Sequence, residues 1–179
     1  MDTLRAALQR FDQSPPNIHG TFESGAPGEG VVLRDEVWIA WPAFRLEQRA
    51  KGGSGPLVVA TSDGKRFGYR DPVSGEVGIS TGLGERAFGL VPMVQYFGVP
   101  PAVCPAPDIL TTESMMGRTV IHIGCDESSG WDQWIDVRTG LMLRKAVRRG
   151  EPNQADWMGY VQLEFGPQLD GGLFDPHSV

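Results

Sequence analysis

The chain lacks any apolar run long enough to cross a bilayer, any CxxC pair, and any low-complexity tract or internal repeat. Each absence removes a class of protein. Without about 20 consecutive apolar residues there is no transmembrane helix. With only 2 cysteines, Cys104 and Cys125, and 3 histidines, the four closely spaced ligands of a structural zinc site are not available. The two thiols are left as either one disulfide after export or two small buried hydrophobes in a reducing compartment. Basic residues are the minority, 16 against 22 acidic, for a net charge of −6. Arg144, Lys145, Arg148 and Arg149 are the one basic cluster. A chain of this balance does not offer the basic surface that phosphate backbones require, so no nucleic-acid partner is expected. The first residues (Asp2, Arg5, Arg10) are charged and hold no signal-peptide core, so a cytoplasmic location is expected for the sequence as written. The cell envelope is the expectation if an export signal lies outside it.

What the chain does have is glycine and proline, 24 and 14 of 179 residues. They punctuate many short segments and argue against a helical bundle. From Gly117 to Gly150, three β-runs are separated by Ser129-Gly130 and Thr139-Gly140, which predicts consecutive hairpins. Leu141, Leu143 and Val147 alternate with Arg144 and Arg148, and Val161, Leu163 and Phe165 alternate with Gln162 and Glu164. Both describe strands with one packed face and one wet face. Further strands are predicted over residues 18–24, 31–41, 44–48, 56–61, 66–70 and 77–80. Asp63-Gly64 is the strongest hairpin signal among them. Phe67 and Tyr69 share a face opposite Arg66 and Arg70.

Leu4, Ala7, Leu8 and Phe11 form the stripe of an opening amphipathic helix, with Asp2 as its expected N-cap and Pro15-Pro16 as its stop. Between 82 and 108 the apolar residues Phe88, Leu90, Val91, Met93, Val94, Tyr96 and Phe97 crowd together, with Pro92 at the first turn of a short predicted helix. This segment is read either as core or as a lid over an apolar cavity. The expected architecture is mainly β (α+β). It is a single 1–179 domain built on a strongly curved antiparallel sheet of about nine to eleven strands, an unclosed barrel. An N-terminal helix and short helical lid segments, within 84–107, cover its concave face.

No catalytic constellation emerges. Gly78-Ile79-Ser80-Thr81-Gly82 has the letters of a nucleophile elbow but not its parallel strand and following helix, so a serine hydrolase using Ser80 is a remote alternative. The glycines at 82 and 84 lack the βαβ setting of a dinucleotide site. Asp126, Glu127, Asp132 and Asp136 surround one hairpin, where acidic residues are ordinarily just solvated. No cofactor or metal is expected. Trp38, Trp41, Trp131, Trp134 and Trp157 fall on predicted strands or their ends. Trp131 and Trp134, three apart, face opposite ways on a regular strand.

Several segments together resemble the bacterial lipoprotein-carrier (LolA-like) superfamily. That superfamily includes the lipoprotein-sensing domain of an anti-sigma-factor regulator and mycobacterial lipid-binding lipoproteins. The opening helix leads into the first strand. Pro42-Ala43-Phe44-Arg45-Leu46-Glu47 is similar to the P-x-x-F-R-x-E strand, and residues 61–69, Thr-Ser-Asp-Gly-Lys-Arg-Phe-Gly-Tyr, to the S-D-G hairpin. Gly117-Arg118, the run from Asp136 to Arg144, and Phe165-Gly166-Pro167 through Leu173-Phe174 follow in the family's order. The resemblance implies non-enzymatic binding of a hydrophobic ligand, a lipid or lipoprotein acyl chain, by a bacterial carrier or sensor. Trp38, Phe44, Phe67, Tyr69, Phe88, Leu90, Val91, Met93, Tyr96, Phe97, Leu141 and Leu143 are the candidate cavity and lid residues. In such carriers the arginine of the F-R strand holds the lid, and Arg45 occupies that position. The alternative is a protein-interaction domain with a filled interior, in which Arg144, Arg148 and exposed tryptophans carry the contact.

Overall fold

The computed structural model describes residues 1–26, 30–50, 58–70, 74–81, 107–125, 130–148 and 155–179. The strand order is β6-β5-β4-β3-β2-β1-β11-β10-β9-β8-β7 in one antiparallel sheet. In chain order the strands are β1 Ile18–Ala26, β2 Gly30–Ala40, β3 Ala43–Ala50, β4 Val58–Ser62, β5 Arg66–Arg70 and β6 Val77–Thr81. They continue as β7 Asp108–Met115, β8 Arg118–Cys125, β9 Trp131–Asp136, β10 Met142–Arg148 and β11 Ala155–Phe165. β6 and β7 end the order, so the sheet is not closed by hydrogen bonds among the described residues. The helix α1 Asp2–Gln13 precedes the strands and a 3-10 turn, Gly171–Phe174, follows them. The mainly β, unclosed antiparallel fold with an N-terminal helix is therefore what the chain adopts.

Two details differ from expectation. Met1, not Asp2, is the N-cap of α1, and it makes no side-chain cap. β7 is a strand that the sequence pattern does not announce: its side chains are exposed almost throughout, so it shows no buried face. The turn that pairs it with β8 has positive φ at both Met116 (52°) and Gly117 (70°), the geometry that matches the twist of a two-residue hairpin.

Backbone contacts divide the chain into two compact units. The first unit comprises Met1–Pro15, Phe22–Val32 and Pro100–Gln162; the second comprises Pro16–Thr21, Leu33–Val99 and Leu163–Val179.

In the first unit, α1 buries Leu4, Ala7 and Phe11 and packs against β9. Gly140, in the β9–β10 turn, explains how closely it sits. A Cβ there would lie 2.1 Å from the carbonyl oxygen of Ala7, and its φ is +74°. Only glycine meets both conditions at low cost. Arg10 donates to the carbonyl of Val137 at 2.6 Å, fixing the other end of the same contact. Ile121, Ile123 and Ile135 are fully buried. Leu143 is the extra residue of a bulge between Met142 and Arg144 and is also fully buried.

The second unit is a run of hairpins from β2 to β6. The Asp63 carboxylate accepts from the backbone N–H groups of Lys65 and Arg66 and from the Arg66 side chain. These donors pull its pKa down to about 2. A tight Asp-Gly turn thus joins β4 to β5, as its letters predict.

Candidate functional site

Register decides which side chains share a face. In the second unit, Trp38 pairs with Arg45, Arg45 with Thr61, and Thr61 with Gly68. One residue along, Ile39 pairs with Phe44, Phe44 with Ser62, and Ser62 with Phe67. The strands therefore present two unlike faces.

The Phe44 face is apolar and closed to solvent. Val37, Ile39, Phe44, Leu46, Val58, Ala60, Phe67 and Tyr69 are all buried. Phe67 is the centre of an aromatic run, with ring centroids 6.2 Å from Phe44 and 6.0 Å from Tyr69. The Tyr69 ring lies over Gly78 of β6, where an added Cβ would come within 2.3 Å of it. One residue breaks the pattern. Asp35, on the same face of β2, is fully buried, and no described cation or hydroxyl bonds its carboxyl. Burial pushes its pKa up to about 7, and its cross-strand neighbour Gln48 offsets that only in part.

The Arg45 face is polar and takes the 170–179 segment. Arg45 donates to Glu47 at 2.9 Å and to the Ser178 carbonyl and hydroxyl at 3.3 and 3.1 Å. Thr61 donates to the Asp175 carbonyl and Arg70 to that of Val179. Gly68 lets the segment touch the sheet, since a Cβ there would lie 2.0 Å from the Pro176 carbonyl oxygen. On the same face the His19 ring stacks on Trp38 at 5.1 Å and bonds to Glu36 at 2.6 Å.

In the first unit, Trp134 and Arg144 are cross-strand partners on the face opposite Ile135. His122 stacks on Trp134 with centroids 4.2 Å apart, and the Trp134 indole donates to Glu113 at 2.6 Å. The Arg144 guanidinium sits 5.2 Å from the Trp134 ring and 5.6 Å from that of Trp157. Trp131 lies on the other side, with the Lys145 ammonium 5.2 Å from its ring; burial lowers the pKa of Lys145. Asp136 is nearly enclosed, which by itself would raise its pKa, but bonds from Arg118 and Thr139 outweigh burial and hold it low. A shallow cleft of about 260 Å³ adjoins this pair.

The expected site residues thus separate. Phe44, Phe67 and Tyr69 come together on one face. Trp38 and Arg45 project from the opposite face of the same strands, because a one-residue step along a strand reverses direction. Leu141 and Leu143 are buried in the first unit. Phe88, Leu90, Val91, Met93, Tyr96 and Phe97 lie outside the described residues, as do Cys104 and, except for Pro107, the candidate lid 84–107. Sequence reasoning misses Asp35. Its signal is one carboxyl in the alternating run Leu33, Asp35, Val37, Ile39. Ser80 stands on the edge strand β6, paired antiparallel with Phe67, which is not the setting of a nucleophile elbow.

No family model and no curated protein sequence matches the chain. Solved structures do. A conserved protein of Thermus thermophilus superposes with a TM-score of 0.61 at 10% identity, covering 96% of this chain and 90% of that one. The Mycobacterium tuberculosis lipoprotein LppX gives 0.53 at 11% identity, with 94% and 96% covered. The MucA/MucB complex of Pseudomonas aeruginosa gives 0.52 at 18%, with 96% of this chain and 59% of that one covered. The fold is the one these structures share. At these identities the likeness is one of architecture, and the chain spans about three-fifths of the MucB chains it matches. No helix among the described residues is long and apolar enough to cross a membrane.

Proposed function

We propose that this LolA-like chain binds a hydrophobic molecule, a lipid or the acyl chain of a lipoprotein, as a carrier or sensor and without catalysing a reaction. The observation that carries this reading is the Phe44–Phe67–Tyr69 face. It is an aromatic, solvent-excluded sheet surface in a fold shared with a protein described as a lipoprotein, while the 170–179 segment takes the opposite face. An acyl chain taken up there gains roughly 25 cal/mol per Å² of its own apolar surface removed from water. It needs few polar contacts, which fits a site without a nucleophile and base.

Organic extraction of the purified protein followed by mass spectrometry is expected to release a lipid. A fluorescent alkyl-chain probe is expected to bind, and Phe67→Ala with Tyr69→Ala to weaken it about tenfold. An empty extract together with no probe binding would overturn the reading.

A second reading, protein binding, is favoured by the Arg144 guanidinium held between the rings of Trp134 and Trp157. Arginine and tryptophan are the residues that most often dominate interfaces. MucB, which shares the fold, is found in complex with MucA. On this reading a partner captured by the wild type is lost with Arg144→Ala while alkyl-probe binding is unchanged.

A further inference from the structure

The apolar face of the second unit contains a carboxyl that has no ion-pair partner among the described residues. β2 places Leu33, Asp35, Val37 and Ile39 on one side, three aliphatic residues and one acid. Asp35 is fully buried, no described cation or hydroxyl bonds its oxygens, and the side-chain amide of Gln48 compensates its burial only in part. Its neighbours across the sheet are Gln48 on β3 and, beyond it, Val58 on β4. The cations that would satisfy it, Arg34, Arg45, Arg49 and Arg70, project from the Arg45 face, as do the carboxylates Glu36 and Glu47. Among the described residues of the unit, Tyr69 is the other titratable group on the Phe44 face. Folded chains rarely bury an acid in this state, since its lost hydration is compensated only in part.

Resting on the ligand-binding reading, we propose that Asp35 is the polar anchor of that site and that the ligand is an amphiphile whose head donates hydrogen bonds, an ammonium above all. An ammonium supplies donors and the opposite charge, a hydroxyl supplies one donor, and a carboxylate or phosphate head supplies neither and repels the ionised acid. The carboxyl titrates near neutrality, so it ionises readily when a cation arrives. The arrangement selects the head group of the guest, while the aromatic wall binds its chain without regard to chemistry beyond apolarity.

Dodecylamine, dodecanol and dodecanoate share one chain, so the hydrophobic contribution cancels between them. Measured by displacement of the alkyl-chain probe at about pH 8, dodecylamine is expected to bind at least about ten times tighter than dodecanoate, with dodecanol between. Asp35→Asn, which keeps the shape, is expected to bring the ratio within about threefold. A thermal melt establishes that the variant is folded. If it is not, the wild type alone decides: the preference for amine over alkanoate must grow as pH rises through about 7. Equal binding of all three in wild type and variant overturns the role of Asp35 and leaves the apolar site standing. Binding of none overturns both.

Discussion

Each unit carries the same row of side chains across three strands, histidine, tryptophan and arginine, and the two rows end differently. In the second unit it is His19, Trp38 and Arg45; in the first it is His122, Trp134 and Arg144. The histidine stacks on the tryptophan in both. Arg144 then stays over its tryptophan, whereas Arg45 turns to Glu47 and Ser178. The residue two places along each arginine's strand accounts for this. It is Glu47 in β3 and Ala146 in β10. A charge-assisted bond to a carboxylate outcompetes a half-exposed cation–π contact, so the arginine leaves the ring wherever an acid is within reach. Arginine opposite tryptophan is not enough to specify an aromatic sandwich; the next residue on that face decides.

The sharpest way to break the parallel is through the glycines beneath the covering segments. Gly140→Ala sets a Cβ against the backbone of α1 at a residue with positive φ, so both helix docking and local backbone suffer. A loss above about 4 kcal/mol is expected in a thermal or urea melt. Gly68→Ala meets only the 170–179 segment and needs no unusual φ, so it is expected to release that segment at smaller cost, read as faster proteolysis near Pro176. Equal losses from the two would show that the coverings are equivalent.

Asp35 comes next. Its carboxyl ionises near pH 4 when unfolded and near 7 when folded, so the folded state holds the extra proton between those values. This group's contribution to stability is then fully present below about pH 4 and is lost as pH rises to about 7. Asp35→Asn is expected to remove that fall, a gain over wild type of roughly 3–4 kcal/mol at pH 8 and little difference at pH 4. Parallel pH profiles for the two proteins would refute it.

The smallest effects belong to the arginines themselves. Arg45→Ala removes bonds to Glu47 and Ser178 and is expected to cost about 1–2 kcal/mol. Arg144→Ala is expected to cost about 0.5–1 kcal/mol and to change tryptophan emission. In Glu47→Ala, Arg45 is expected to move toward Trp38, visible as a change in tryptophan emission that Arg49→Ala does not produce.

Much of this is legible in the sequence. Alternation in Phe67-Gly68-Tyr69 marks the buried pair, Asp63-Gly64 and Thr139-Gly140 mark the turns, and the unclosed antiparallel fold follows from the order of the motifs. β7 is not legible, because an exposed edge strand has no buried face to produce a pattern. The site divides for a related reason. Trp38 and Arg45 lie near Phe44 in the sequence and so group with it there, but a side-chain period of two puts neighbours on opposite sides.

The sequence by itself determined where the strands with a buried face and their turns lie, since propensity, alternation and positive-φ glycines act over a few residues. Only the tertiary structure decided that β11 enters between β1 and β10, which face the 170–179 segment covers, and that Asp35 is buried without an ion-pair partner among the described residues. Those outcomes depend on register between strands far apart in the chain. A strand's own pattern marks two faces without saying what each will meet.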